Sequence, residues 1–417
     1  MSEQAIYSDT AYCDVELINR SGNGALPVGE HDFAEAMDRC VLVDKTMFIA
    51  DVLDADASVV ACCRPEGFGK SMNLSMLKAF LERPTVGQVD RGLFAGSQIW
   101  DAGGGCYRDE YACYPVISLD FSVAARRGAA VASVVRDALS RECARLLPLL
   151  EAPDLPRDKM RHIERAARGV ASESEVDSVL GVLIELLEIA CDEQVVLLVD
   201  EYDAAWSRRT SARGASGADP AKLFDRVLFD AIVAAGDSLR LACLMGEYPG
   251  PADTALSLRG CSYCMSIPLS TWCDRWFGFL DDEVQALLGH AGRGEYLDDA
   301  REWFEGYRFG GFYCSSPARV IDFLNRGCTP PVRADLYGFA DCLSRVVAGW
   351  NLDRLSTLFE LLEAHGSVEV PLCLGAVGSD APTDDDLWTA LYLSGFLTTD
   401  MVCLLYTSDA ADDSLRV

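Results

Sequence analysis

Apolar residues along this chain keep two alternating rhythms. Short continuous runs lie at 41–43, 58–62, 115–119, 195–199 and 240–244. Apolar runs such as Val195-Val196-Leu197-Leu198-Val199 predict strands buried on both faces. Between them the spacing turns helical. Residues 72–81 carry Leu74, Leu77 and Leu81 ahead of Pro84, and 128–150 carry Val131, Val134, Leu139, Leu146 and Leu147. A third helix opens at Ser172-Glu173-Ser174-Glu175, a capping pattern, and places Leu180, Leu183, Ile184 and Leu187 on one face. A fourth runs from Leu223 to Ala235. Strands that alternate with helices predict an α/β fold, a mainly parallel sheet with crossover helices. Residues 1–32 read as a weakly structured lead-in, and 151–170 as a helix–loop insertion. From 271 onward the pattern is helical with no clear buried strand. It includes an acidic first turn at Asp281-Asp282-Glu283 and a Pro317-initiated helix.

Two stretches carry chemistry. Val59-Val60-Ala61-Cys62-Cys63 runs into Arg64-Pro65-Glu66-Gly67-Phe68-Gly69-Lys70-Ser71, an apolar strand, a Gly-rich turn and a helix that opens on Lys-Ser. This is the context of a phosphate-binding P-loop, or Walker A motif. Loop N–H groups and the helix N-terminus would cradle phosphates. Lys70 would reach the outer phosphates, and Ser71 would bind Mg²⁺. The residues expected to bind the cofactor are Arg64, Gly67, Phe68, Gly69, Lys70, Ser71 and Met72. Arg64 stands where the full pattern has its first Gly. The second stretch, Val195 to Val199 followed by Asp200-Glu201-Tyr202-Asp203, places two carboxylates at a strand's C-terminal end, where α/β sheets bind ligands. In a Walker B reading Asp200 supports Mg²⁺ and Glu201 polarises the attacking water. The alternative is a core strand that ends in a solvated acidic turn. Asp44, just before the first helix-borne Phe48, reads either as a helix cap or as a nucleotide-base contact.

Composition narrows the class. The chain has 417 residues, half of them hydrophobic, with a formal net charge of −29. That charge argues against a broad basic surface for duplex DNA or anionic membrane. No apolar run is long enough to span a bilayer, and no export signal is evident. The 17 cysteines therefore read as reduced thiols of a cytoplasmic protein. Cys261, Cys264, Cys273 and His290 could form a zinc site, but without a second C-x-x-C they read as scattered core thiols.

Together the residues resemble the bacterial AAA-ATPase-like family. The resemblance rests on an ordered set of landmarks. They are Val43-Asp44-Lys45-Thr46, Arg64-Pro65 to Ser71, Asn73-Leu74-Ser75-Met76-Leu77, Tyr114-Pro115-Val116-Ile117 and Asp200-Glu201-Tyr202-Asp203. Phe277-Gly278-Phe279, Gly306-Tyr307-Arg308-Phe309-Gly310 and Tyr392-Leu393-Ser394-Gly395-Phe396-Leu397-Thr398 complete it. Arg64 in the first Gly position is a family habit. The resemblance implies a P-loop NTPase core over 33–270, a mostly helical domain over 271–400, and ATP as the nucleotide. It also implies, in longer relatives, a C-terminal restriction-endonuclease-like domain, absent here. Residues 401–417 resemble a non-native tail. Three departures stand out. Glu66-Gly67 replaces a second basic residue, Met245-Gly246-Glu247 replaces Thr-Gly after the fourth core strand, and Ala204-Ala205-Trp206 follows the acidic run.

The leading expectation is an ATP-binding protein with slow or partner-stimulated hydrolysis. Arg240, Arg259 and Arg308 are the candidates for a charge-stabilising arginine, from this chain or from a neighbouring copy. The alternatives are a nucleotide-gated interaction module without turnover, and the ATPase part of a nuclease-linked protein, the latter by family analogy alone. A small-molecule kinase has no acceptor-site signature in its favour.

Overall fold

Five strands, Val116–Asp120, Val195–Asp200, Leu239–Gly246, Val59–Cys63 and Tyr263–Ser266 in that order, form one parallel sheet. The structure is a computed structural model. It describes residues 15–20, 22, 24–85, 87, 89–90, 92–124, 131–204, 220–250, 261–329, 347, 351–372, 383–399 and 414–416. The strands are β1 (Leu17–Ile18), β2 (Leu42–Val43), β3 (Val59–Cys63), β4 (Val116–Asp120), β5 (Val195–Asp200), β6 (Leu239–Gly246) and β7 (Tyr263–Ser266). After them come β8 (Glu305–Phe309), β9 (Phe312–Ser315), β10 (Glu369–Pro371) and β11 (Ser414–Arg416). The helices are α1 (Phe33–Arg39), α2 (Phe48–Leu53), α3 (Lys70–Leu81), α4 (Gln98–Asp101), α5 (Val131–Leu146), α6 (Arg157–Ala167) and α7 (Glu173–Cys191). They continue as α8 (Pro220–Phe224), α9 (Asp230–Ala235), α10 (Asp281–His290), α11 (Leu297–Phe304), α12 (Pro317–Asn325), α13 (Leu352–His365) and α14 (Asp384–Leu393).

Every residue of β3 and β5 is buried because helices cover both faces. Alternate residues serve opposite layers. Val59, Ala61, Val195, Leu197 and Val199 pack with α5, α6 and α7. Val60, Cys62, Val196, Leu198 and Met245 pack with α1, α2 and α3 on the other side. Helix α7 begins with the capping box that its sequence predicts: Ser172 accepts from the Glu175 N–H, and Glu175 returns the bond. Leu180, Leu183, Ile184 and Leu187 are all buried on its inner face. Truncating Leu183 to alanine should cost about 2–5 kcal/mol of stability, read from chemical denaturation. A loss below about 1 kcal/mol would mean that the site collapses freely.

Three placements differ from the pattern reading. Leu42–Val43 lies outside the main sheet and pairs antiparallel with Leu17–Ile18 in the lead-in. The run is short, and Asp44-Lys45-Thr46 turns the chain at once. The fifth position belongs to β7, parallel to β3 with Val59 opposite Tyr263. Its half-buried Tyr263, Cys264 and Met265 suit an edge strand and give little apolar signal. Within the mostly helical later region, β8 and β9 form an antiparallel hairpin across Gly310-Gly311, with Phe309 and Cys314 buried. A Gly-Gly turn between alternating aromatic residues is the signal for it.

Asp44 is buried and is not the N-cap of α2, a position that Met47 takes. Its carboxylate accepts from the Thr46 N–H (2.8 Å) and hydroxyl (2.6 Å) and from the Gln98 N–H (2.8 Å), tying the turn to α4. All cysteines among the described residues are free thiols. Among those residues no three His, Cys, Asp or Glu side chains gather to hold a metal. No described helix is long and apolar enough to cross a membrane.

Candidate functional site

The glycine-rich 64–69 loop joins the C-terminal end of β3 to the N-terminus of α3. Gly67 and Gly69 take φ of 83° and 89°, left-handed values that L side chains resist, so the loop needs glycine there. The first turn of α3 presents N–H groups with no intrahelical partner. The acidic strand β5 lies two places away, across β6, and ends level with the loop. This arrangement brings together residues 129 positions apart: the Ser71 hydroxyl donates to Asp200 Oδ2 at 2.5 Å.

Lys70 is nearly enclosed. Its ammonium donates to the loop's own Arg64 (3.0 Å) and Pro65 (3.3 Å) carbonyls and lies 3.6 Å from Glu201. Burial works against its charge, but the carboxylates of Glu201, Glu247, Asp200 and Asp203 outweigh burial and raise its pKa. Glu201 has φ of 53°, a left-handed conformation that costs a non-glycine residue about 1–3 kcal/mol. It remains partly exposed, at 24% of its side chain, so the site's solvent edge runs along Glu201 and the half-buried Gly67, Gly69 and Ser71.

Asp200 is pushed up to about 6, first by burial and then by Glu201 and Asp120, against the Ser71 hydrogen bond and Lys70. Its folded-state pKa lies above the ordinary 3.8. The folded state therefore binds the proton more tightly, and this contribution to stability is present below about pH 4 and lost as pH rises through about 6. In the nucleotide- and metal-free protein, Asp200→Asn should therefore gain thermal stability over the native chain at pH 7.5, by roughly 1–3 kcal/mol, and little at pH 4.5. Equal midpoints at both pH values would contradict this origin of the shift.

The remaining loop residues serve the fold through their side chains. Arg64 is fully buried and turned into the core. It donates to the Cys63 (2.8 Å) and Ser266 (3.1 Å) carbonyls and to the Ser266 hydroxyl (2.9 Å). Its guanidinium lies over the Phe277 and Phe309 rings, 4.9 and 5.1 Å from their centroids. Burial lowers its pKa. Phe68 packs edge-on against Tyr307 and Phe309, and Met72 is partly buried against the same layer. Only the backbones of Arg64 and Phe68 remain at the loop. Glu66, the departure from a basic residue, is exposed.

The arginine candidates separate. Arg240 sits at the N-terminal end of β6, six residues and about 20 Å from the strand's C-terminal end, and pairs with Glu110 at 3.5 Å. Arg308 lies on β8, its N–H donating to the Thr398 hydroxyl and its guanidinium over Tyr313. Arg259, the Ala205-Trp206 pair and residues 401–413 of the tail lie outside the described residues.

Several residues at the site had no role in the sequence reading. Gly67 O accepts from the Ser316 hydroxyl (3.1 Å) and the Ala318 N–H (3.2 Å), so the start of α12 clamps the loop. Gly278 N–H donates to Phe68 O, and Gly395 lies directly against the Pro65 ring. The landmarks of the C-terminal half thus form the outer wall of the loop. On its inner side, Asp203 and Tyr202 hold the turn after β6, just beyond the buried Met245, and the charge of Glu247 in that turn acts on Lys70. The sequence signalled Asp203 only by its place in the acidic run.

A Gly-rich loop after a central parallel strand, level with an acidic strand end, places the chain in the P-loop class of α/β proteins. More narrowly, the chain belongs to the AAA-ATPase-like family, described as Predicted AAA-ATPase, whose match covers residues 27–249. The chain is also similar to an uncharacterized protein in the vnfD 5' region of Azotobacter chroococcum mcd 1. The two are 26% identical over 305 residues, 71% of this chain and 51% of that protein. The chain therefore spans about half the length of the curated relative it matches. No solved structure matches the chain.

Proposed function

We propose that the chain binds ATP with Mg²⁺ between the 64–72 loop and the end of β5, and hydrolyses it slowly or when a partner engages. The observation that carries this reading is the Ser71–Asp200 hydrogen bond, which converges a hydroxyl and a carboxylate at the helix N-terminus. An oxygen-only pair of hydroxyl and carboxylate suits Mg²⁺. Bound there, Mg²⁺ would supply charge neutralisation across the phosphates. Lys70 exchanges its loop carbonyls and Glu201 for phosphate oxygens. Glu201, released from that ion pair, accepts a proton from the attacking water. Burial of Lys70 and Asp200 strengthens each of these interactions over its value in water. Calorimetric titration of the chain with ATP·Mg²⁺, followed by phosphate-release assays, tests both halves. Saturable binding with turnover is expected, and absence of binding refutes the reading.

A second reading, a nucleotide-gated interaction module with negligible turnover, draws on the outer wall. Ser316, Ala318, Gly278 and Gly395 all touch the loop, so a loop displaced by nucleotide must displace the C-terminal half with it. Binding with no phosphate release would favour this reading.

A further inference from the structure

The acidic run continues past its two assigned carboxylates, and its last member has a use that neither phosphate binding nor water activation requires. After Asp200 the chain turns sharply through Glu201 and is bonded to the end of β6. Tyr202 N–H donates to Met245 O at 3.0 Å. Asp203 Oδ2 accepts from both the Glu247 N–H (3.1 Å) and the Tyr248 N–H (2.9 Å). The Tyr202 hydroxyl donates to Tyr248 O at 2.9 Å. Asp203 is 1% exposed, and its second oxygen, Oδ1, has no hydrogen-bond partner among the described residues. That oxygen lies 2.6 Å from where a Cβ at position 246 would stand, so only glycine allows the approach. A buried carboxyl with one oxygen unpaired is an expensive way to join two turns. The side chain is therefore best explained by what it holds in place.

It ties the turn two residues after Glu201 to the backbone of Glu247, and the charges of Glu201 and Glu247 both act on Lys70. We propose that Asp203 is a positioning residue for ATP turnover, locking Glu201 and Glu247 into one rigid acidic unit beside Lys70. The proposal rests on the ATPase reading above. It assigns no contact between Asp203 and nucleotide, so its loss should impair turnover and spare binding. Geometry of this kind matters because a catalytic group displaced by about 1 Å can lose about 100-fold in rate.

The test measures kcat and the ATP·Mg²⁺ dissociation constant for the native chain, Asp203→Ala and Asp203→Asn. Alanine removes the acceptor for both N–H groups. Asparagine keeps an oxygen for them. The expected result is a kcat at least 10-fold lower in Asp203→Ala with the dissociation constant within threefold of native, and recovery to within threefold of native kcat in Asp203→Asn. Should Asp203→Ala fail to fold, Asp203→Ser, too short to reach both N–H groups, carries the same comparison. Native-like kcat in the alanine or serine variant overturns the proposal, as does a parallel loss of binding and turnover. A native chain that binds ATP without turning it over also overturns it and leaves the nucleotide site standing. A native chain that binds no ATP overturns the ATPase reading itself.

Discussion

Lys70→Ala should abolish the stabilisation that ATP·Mg²⁺ confers on this protein. At 100 times its dissociation constant, a ligand adds about 2.7 kcal/mol to folding stability, a shift visible in the thermal midpoint. The native chain should show that shift and the alanine variant close to none. Lys70 is a buried positive side chain at the C-terminal end of the sheet. It is held beside Glu201, with Glu247, Asp200 and Asp203 acting on its charge. The substitution also leaves those carboxylates without their central cation, so the nucleotide-free variant should itself lose roughly 1–3 kcal/mol. The two effects separate when midpoints are compared with and without ligand. An undiminished ligand shift in Lys70→Ala would place the nucleotide elsewhere.

Glu201→Gln should separate binding from chemistry. A positioned general base contributes about 10²–10⁴-fold to rate, so phosphate release should fall by that factor. Binding should survive and tighten, because Lys70 no longer has to leave a carboxylate 3.6 Å away. That pair is partly exposed and screened, worth about 1 kcal/mol, which corresponds to roughly fivefold in affinity. Nucleotide titration and single-turnover assays on the same preparation read both numbers. Unchanged turnover in Glu201→Gln would move the base to another residue.

Binding without turnover and turnover without a partner give different pictures of the outer wall. Under the first, the Gly67–Ser316 and Gly67–Ala318 contacts are the output of the site, reporting loop occupancy to α12. Under the second, they keep the loop in shape for chemistry. The Glu201→Gln and Asp203→Ala variants bear on this choice, since both leave the wall untouched.

Much of this molecule is written in local pattern. Continuous aliphatic runs marked β3 and β5, whose every position is buried, and mostly apolar runs marked β4 and β6. The capping box at Ser172 and the prolines at 84 and 317 punctuated helices where the structure punctuates them. Gly67-Phe68-Gly69-Lys70-Ser71 and Asp200-Glu201 were legible as candidate site residues because the chemistry expected of them depends on residue type at short spacing.

What local pattern could not supply is which distant pieces meet. Whether Leu42–Val43 or Tyr263–Ser266 flanks β3 depends on which segment returns to an open edge, and neither run announces it. The inward turn of Arg64 needs Phe277 and Phe309, both more than 200 positions away. The grip of Asp203 on Glu247 and Tyr248, and the contacts of Ser316 and Gly395 with the loop, join segments more than 40 positions apart. The sequence by itself determined β3 to β6, the helices that flank them and the glycine-rich loop, whose causes lie within a few residues of one another. Tertiary structure alone decided the loop's walls and the geometry of its carboxylates, because contacts across the chain depend on how whole layers pack.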